Sequence, residues 1–158
     1  MAVPIPESHR DLLTGPIHGI LTTMMPDGQP QSSIVWVDYD GAHVLINTTL
    51  ERQKGRNMLA NPKVTLLVID PDNSSRWIEV RGRVVEITGS CAEAHADKLT
   101  QLYTGKRHFY GDIYPAEHKQ QETRVIVKIE PLNVSLDAIF SPANESKIAR
   151  SIPIERAT

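Results

Sequence analysis

The chain has 158 residues, with 17 Lys+Arg against 19 Asp+Glu, so its formal net charge is −2. That length suits one domain with a real core, and the charge balance excludes general nucleic-acid affinity while permitting a local basic pocket. Cys91 is the one cysteine, which excludes an intrachain disulfide and fits a reducing cytoplasm.

Residues 1–10 lack the apolar core of a signal peptide, and no apolar run approaches membrane-spanning length. The expected location is therefore cytoplasmic, without membrane contact. Ser8–Leu13 reads as a short helix with Ser8 as its cap, stopped by Gly15-Pro16. Ile17–Met24 is an expected strand. Pro26-Asp27-Gly28 is a turn, because proline presets one φ and glycine accepts a positive one. Gln31–Tyr39 alternates as a strand, with Ser32, Ile34, Trp36 and Asp38 on one face and Ser33, Val35, Val37 and Tyr39 on the other. Asp40-Gly41 is a hairpin signal, so the strand His43–Asn47 should pair back antiparallel.

The stretch Asn47-Thr48-Thr49-Leu50-Glu51-Arg52-Gln53-Lys54-Gly55-Arg56-Asn57 follows. It predicts a helix from about Arg52 to Ala60, capped by Thr48 or Thr49 and stopped by Asn61-Pro62. Arg52, Lys54 and Arg56 crowd the N-terminal end, where the helix dipole already favours anions and disfavours cations. Such a cluster is either a solvated basic face or a site for phosphate or carboxylate groups. Lys54 and Arg56 are the leading anion candidates, with Arg52 and Asn57 beside them.

Val64–Asp70 is nearly all apolar, as expected of a central strand. Arg76–Thr88 is a long strand whose Gly82 predicts a bulge or bend. Cys91–Tyr103 has helical spacing. Thr104–Gln121 is too long for a plain connection, and its His108, Tyr110 and Tyr114 are candidates for a substrate mouth or for loop anchors. Arg124–Leu136 is the last strand, with Pro131 predicting an edge or a bulge. Residues 1–140 read as one domain and residues 141–158 as a loose tail. The elements indicate a mainly β, α+β fold: six antiparallel strands with two or three short helices. No histidine pair has ligand spacing and there is no CxxC, so no metal site is expected.

Several pieces occur in a familiar order: Gly19-Ile-Leu-Thr-Thr23, Pro26-Asp-Gly-Gln-Pro-Gln-Ser-Ser33, Val35-Trp36, Lys54-Gly-Arg-Asn57, Asn61-Pro62, Val64-Thr-Leu-Leu67 and Glu79-Val-Arg-Gly-Arg83. The set resembles the pyridoxamine-phosphate-oxidase-like split β-barrels, and within them the branch that uses the deazaflavin coenzyme F420. The resemblance implies a homodimer with the cofactor in a groove shared by both chains. It implies that the Ser32–Ser33 strand lies along the ring and that the Lys54/Arg56 stretch holds the phosphate end. Carried onto this sequence, the cofactor-binding candidates are Ser32, Ser33, Val35, Asn47, Thr48, Arg52, Lys54, Arg56, Asn57 and Trp77. The function it implies is hydride transfer from reduced F420 to a small unsaturated or carbonyl acceptor, with no side chain marked as acid or base. An FMN-dependent oxidase or reductase of the same fold is the first alternative, and a non-catalytic carrier of a flavin-like cofactor is the second. The sequence supports the dimer separately: Ile34 with Trp36 and Val35 with Val37 place apolar groups on both faces of one strand.

Overall fold

The computed structural model describes residues 2–137, so the expected tail at 141–158 lies outside the described residues. Its strands are β1 (Gly19–Met24), β2 (Pro30–Val35), β3 (Asp38–Tyr39), β4 (Val44–Thr49), β5 (Lys63–Ile69), β6 (Trp77–Thr88) and β7 (Arg124–Leu136). A short helical turn at Glu7–His9 and helix α1 (Asp11–Thr14) precede β1, helices α2 (Gln53–Ala60) and α3 (Ala92–Thr104) lie between strands, and further short helical turns occur at Phe109–Ile113 and Ala116–Gln120. One antiparallel sheet of seven strands runs in the order β2-β1-β5-β6-β7-β4-β3.

Seven strands replace the expected six because Gln31–Tyr39 is broken in two. β2 is at one end of the sheet and β3 at the other, yet only Trp36 and Val37 separate them in sequence. Three Cα steps span at most about 11 Å, so the two ends of the sheet must meet and the sheet curls into a split barrel. Tyr103 of α3 fills the gap. Its hydroxyl accepts a hydrogen bond from the Val37 amide at 2.9 Å and donates to the Ile17 carbonyl at 2.8 Å.

The barrel interior follows from period-two alternation. Val64, Leu66 and Val68 of β5 point inward and are buried, as are Leu21, Val44, Ile46, Ile78, Val80, Val127 and Ile129. β5 is central as expected, flanked by β1 and β6. Thr48 shares the inward face of Val44 and Ile46 and is fully buried. Asn47 therefore faces outward, toward α3.

Pro131 marks a bulge and not an edge, since β7 lies between β6 and β4. Gly82 pairs with Pro131 while Arg81 pairs with Asn133, so Leu132 is the extra residue. Gly82 allows this close approach: a Cβ there would sit 2.6 Å from the Glu130 carbonyl oxygen. Pro131 has no N–H to give the ladder, and its carbonyl accepts the Val3 amide at 2.8 Å.

Two expected caps do not form. Ser8 lies within the Glu7–His9 turn, and its hydroxyl pairs with the ring of His9 at 2.8 Å. Thr48 and Thr49 belong to β4, and the N-cap of α2 is Arg52, with no side-chain cap. The strand simply continues through both threonines, and a turn of Leu50 and Glu51 intervenes before the helix.

Candidate functional site

The turn after β4 sets the position of α2. Arg52 N–H bonds back to the Thr49 carbonyl at 3.3 Å, and Leu50 N–H to the Thr123 carbonyl at 3.1 Å. The Glu51 carboxylate accepts the Thr123 amide at 2.9 Å and 3.0 Å. Gly55 lies directly on that turn, where a Cβ would be 2.2 Å from the Thr49 oxygen. The helix is thus pressed against the end of β4, and Lys54 is aimed across toward β2. Its ammonium donates to Ser33 Oγ at 3.1 Å.

These elements open onto a cavity of about 270 Å³ on the outer side of the barrel. Arg52, Lys54, Asn47 and Arg124 contribute to its polar lining. The rest is apolar or aromatic: Ile34, Val35 and Trp36 from the split, Ala96 and Leu99 from α3, and Phe109, Ile113 and Tyr114 from the following turn, with His18 at the border. Trp36 stacks on Tyr103 with centroids 5.1 Å apart. The Phe109–Ile113 turn is held by Asp97 of α3, which accepts the Phe109 amide at 2.8 Å, and Gly111 takes the φ of 108° the turn requires.

The charge is unbalanced. None of the ion pairs among the described residues includes Arg52 or Lys54. Burial, and then the neighbouring Arg52, lower the pKa of Lys54. Two cations without carboxylate partners, one of them partly desolvated, form a ready site for an anion. Arg52 also lies 5.5 Å from the ring centre of Tyr114, a cation–π contact of about 0.5–1 kcal/mol.

Arg124 is in a different state. It is nearly buried, with its guanidinium 4.2 Å from the Phe109 ring centre. It donates to Asn47 Oδ1 at 2.7 Å, to the Tyr110 hydroxyl at 2.9 Å and to Glu122 at 3.3 Å. Burial comes first in raising the pKa of Tyr110, whose hydroxyl donates to Glu122 at 2.7 Å.

The structure thus brings Val35, Asn47, Arg52, Lys54 and Tyr114 together around the cavity, with Ser33 touching Lys54. Other candidates lie elsewhere in this chain. Ser32 pairs with Thr22 at 2.8 Å on the exposed side of the β1–β2 hairpin. Arg56 is exposed, bonded to the Glu51 carbonyl and, at 2.7 Å, to Gln53. Asn57 is buried and ties α2 to β1 through Thr23 at 3.0 Å. Thr48 is in the barrel core, Trp77 opens β6 opposite Ile69, His108 is exposed, and Tyr110 sits behind Arg124. Sequence reasoning missed His18, Phe109 and Arg124. Only the Arg at the start of the last strand carried a signal, as a charge entering an otherwise apolar run.

An amphiphilic ligand suits these walls: a flat ring against the apolar and aromatic side, and an anionic group at Arg52 and Lys54. Among the described residues, no three His, Cys, Asp or Glu gather as metal ligands, and no helix is long and apolar enough to cross a membrane.

Comparison with known proteins gives four findings. A sequence model of the family described as pyridoxamine 5'-phosphate oxidase matches residues 5–136. A solved F420 reductase is 38% identical, with a TM-score of 0.71 over 83% of this chain and 98% of that one. A pyridoxine/pyridoxamine 5'-phosphate oxidase of Bordetella petrii is 33% identical over 76 residues, which span 48% of this chain and 36% of that protein's length. A conserved hypothetical protein of Mycobacterium tuberculosis shares the fold at 24% identity, with a TM-score of 0.61 over 85% of each chain.

Proposed function

The chain belongs to the pyridoxamine 5'-phosphate oxidase family, and from that premise we propose that it is an oxidoreductase working with coenzyme F420 held in the Arg52–Lys54 cavity. The observation that carries the reading is the pair of unneutralised cations beside an apolar, aromatic-walled cavity. The 38% identity to an F420 reductase supports the deazaflavin. When bound, F420 would supply a hydride to a small unsaturated or carbonyl acceptor of quinone, enone or tetrapyrrole type.

The chain's own residues bind, orient and exclude water. Arg52 and Lys54 hold the phosphate end, with Ser33 steadying the lysine. Val35, Trp36, Leu99 and Phe109 supply the dry wall against which a ring and an acceptor lie face to face. The proton that accompanies the hydride comes from water or from Tyr114, the loop tyrosine of the cavity.

FMN is the second reading, favoured by the match to the Bordetella petrii oxidase and by the family as a whole. Titration of the purified protein with F420 and with FMN separates the two, and turnover of the reduced cofactor over a panel of acceptors separates an enzyme from a carrier. We expect F420 fluorescence to be quenched on binding, and reduced F420 to be consumed with at least one acceptor. Tight FMN that copurifies moves the assignment to the flavin, and saturable F420 binding with no turnover moves it to a carrier.

The reading also includes a homodimer. The cavity's 270 Å³ falls below the roughly 300 Å³ at which ligand pockets begin. At its border Ile34 is 71% exposed, next to Ile20, its cross-strand partner, at 38%. A second copy laid on this face covers both residues and deepens the cavity. Light scattering at low micromolar concentration should give twice the 17.6 kDa chain mass. A monomeric mass with full cofactor affinity removes the shared site.

A further inference from the structure

Behind the cavity runs a buried polar chain that the cofactor reading does not use. Asn47 links to Arg124 on one side and to His95 of α3 on the other, and His95 links to Asp38 of β3. His95 and Asp38 are 8% and 6% exposed. The groups along this chain fix its polarity. Arg124 can only donate, so the Asn47 atom that meets it at 2.7 Å is the carbonyl oxygen. The Ala92 carbonyl can only accept, so the atom 2.8 Å from it is the amide nitrogen. The Asn47 amide cannot flip without breaking both bonds. Its nitrogen therefore also faces His95 Nδ1 at 3.1 Å as a donor, and Nδ1 must accept. The proton of the imidazole is left on Nε2, which donates to Asp38 Oδ2 at 3.0 Å. Asp38 is itself held by Lys98 at 2.8 Å and by the Tyr39 amide at 2.9 Å. Burial would raise the Asp38 pKa, but the bonds from His95 and Lys98 outweigh it and hold the carboxyl well below the usual range.

At the other end, Arg124 spends three of its five N–H groups on Asn47, Tyr110 and Glu122. Two remain without a partner among the described residues, on a guanidinium that lines the cavity. Glu122 offsets the charge of Arg124, whereas Arg52 and Lys54 stay unneutralised. The cavity lining thus holds two unneutralised cations, suited to a full anion, and one paired guanidinium, suited to a neutral or partly charged oxygen.

We infer that His95 is a positioning residue: fixed as the neutral Nε2–H tautomer between Asp38 and Asn47, it sets the Asn47 amide so that Arg124 presents two N–H groups to a carbonyl or enolate oxygen in the cavity. That the oxygen belongs to a cofactor ring or its acceptor rests on the oxidoreductase reading. The relay itself does not.

The test uses the uniformly ¹⁵N-labelled full chain. At neutral pH the His95 ring nitrogens should report a proton on Nε2 and none on Nδ1, and Arg124 Nε–H should give a slowly exchanging signal. Asn47→Asp replaces the donor by an acceptor at nearly constant shape, so it should place a proton on Nδ1. His95→Phe should broaden the Arg124 signal and weaken F420 or FMN binding about tenfold, the low end for losing a hydrogen bond to a charged group. In an Arg124→Gln background the same change should cost less than about twofold more, because coupled residues are not additive. A wild-type Nδ1–H or imidazolium form, an unchanged ring in Asn47→Asp, or additive losses in the cycle overturns the relay. If His95→Phe does not fold, the Asn47→Asp spectrum decides. If the wild type binds neither chromophore, the cofactor reading fails while the spectra still judge the relay.

Discussion

Gly55→Ala should lower stability by about 1–2 kcal/mol and abolish tight cofactor binding. A Cβ at this position would meet the Thr49 carbonyl oxygen at 2.2 Å and the Leu50 Cα at 3.1 Å. Both are backbone atoms, so neither can rotate away. Overpacking of this kind costs about 1–3 kcal/mol or more, and the gain in helix propensity of about 1 kcal/mol offsets only part. The helix must then slide off the end of β4, and Lys54, one residue away, moves with it. For a domain of this size the stability loss corresponds to a Tm lower by roughly 2–8 °C. Thermal melts with and without cofactor measure both effects. Unchanged stability together with unchanged affinity would mean that α2 does not rest on Thr49.

The second large effect is on binding alone. Lys54→Met and Arg52→Ala should each weaken the cofactor by about 1.5–3 kcal/mol, the range for hydrogen bonds to charged groups, which is about tenfold to over a hundredfold in Kd. Arg56→Ala should change it by less than about twofold, because Arg56 is exposed and bonded to Glu51 and Gln53. The stability of Lys54→Met without cofactor has the opposite sign. Burial first, and Arg52 second, lower the Lys54 pKa. Near neutral pH the ammonium is therefore less favourable in the folded chain than in the unfolded one. Removing it should leave Tm unchanged or raised, while affinity falls. The cost of this lysine is present at neutral pH, begins to fall as pH passes its lowered folded value and is gone above the ordinary lysine value of the unfolded chain. Over the same alkaline window, binding of an anion should weaken. Calorimetric titration at neutral and alkaline pH reads both signs, and a lower Tm with intact affinity would reverse the assignment.

Features governed by a few neighbouring residues were legible in the sequence. Gly28 and Gly41 take the positive φ values their turns need, 88° and 97°. Asp40-Gly41 closes the β3–β4 hairpin, Asn61 ends α2, and Gly82 sits at the register shift of β6. The helix with its basic end was legible too, and Lys54, singled out there, lines the candidate cavity. The break in Gln31–Tyr39 was not. Its alternation runs on through Trp36 and Val37, and the interruption depends on the hydroxyl of Tyr103, 66 residues later. Arg52, and not Arg56, faces the cavity with Lys54, because the turn at Leu50–Glu51 delays the helix. Arg52 has extended backbone at the helix N-cap, so it does not share the helical face that residues four apart otherwise share, and spacing alone does not show which arginine joins Lys54. Arg124 and Asn47 are 77 residues apart and Asn47 and His95 are 48 apart, so no local pattern unites them. Only the curled sheet, with α3 lying over Asn47, does so.

The stitch made by Tyr103 also bears on how the protein resists aggregation. An open sheet exposes two rows of unpaired amides and carbonyls to which another chain can add as a strand. Here one terminal strand, β3, is two residues long, and the other, β2, begins at Pro30, which has no N–H to offer. Between them the Val37 amide is already taken by Tyr103. Tyr103→Phe keeps the ring stacked on Trp36 but frees that amide and the Ile17 carbonyl at the seam. The seam would then be where a heated sample first recruits foreign strands, with fibril growth beginning while most of the barrel is still closed.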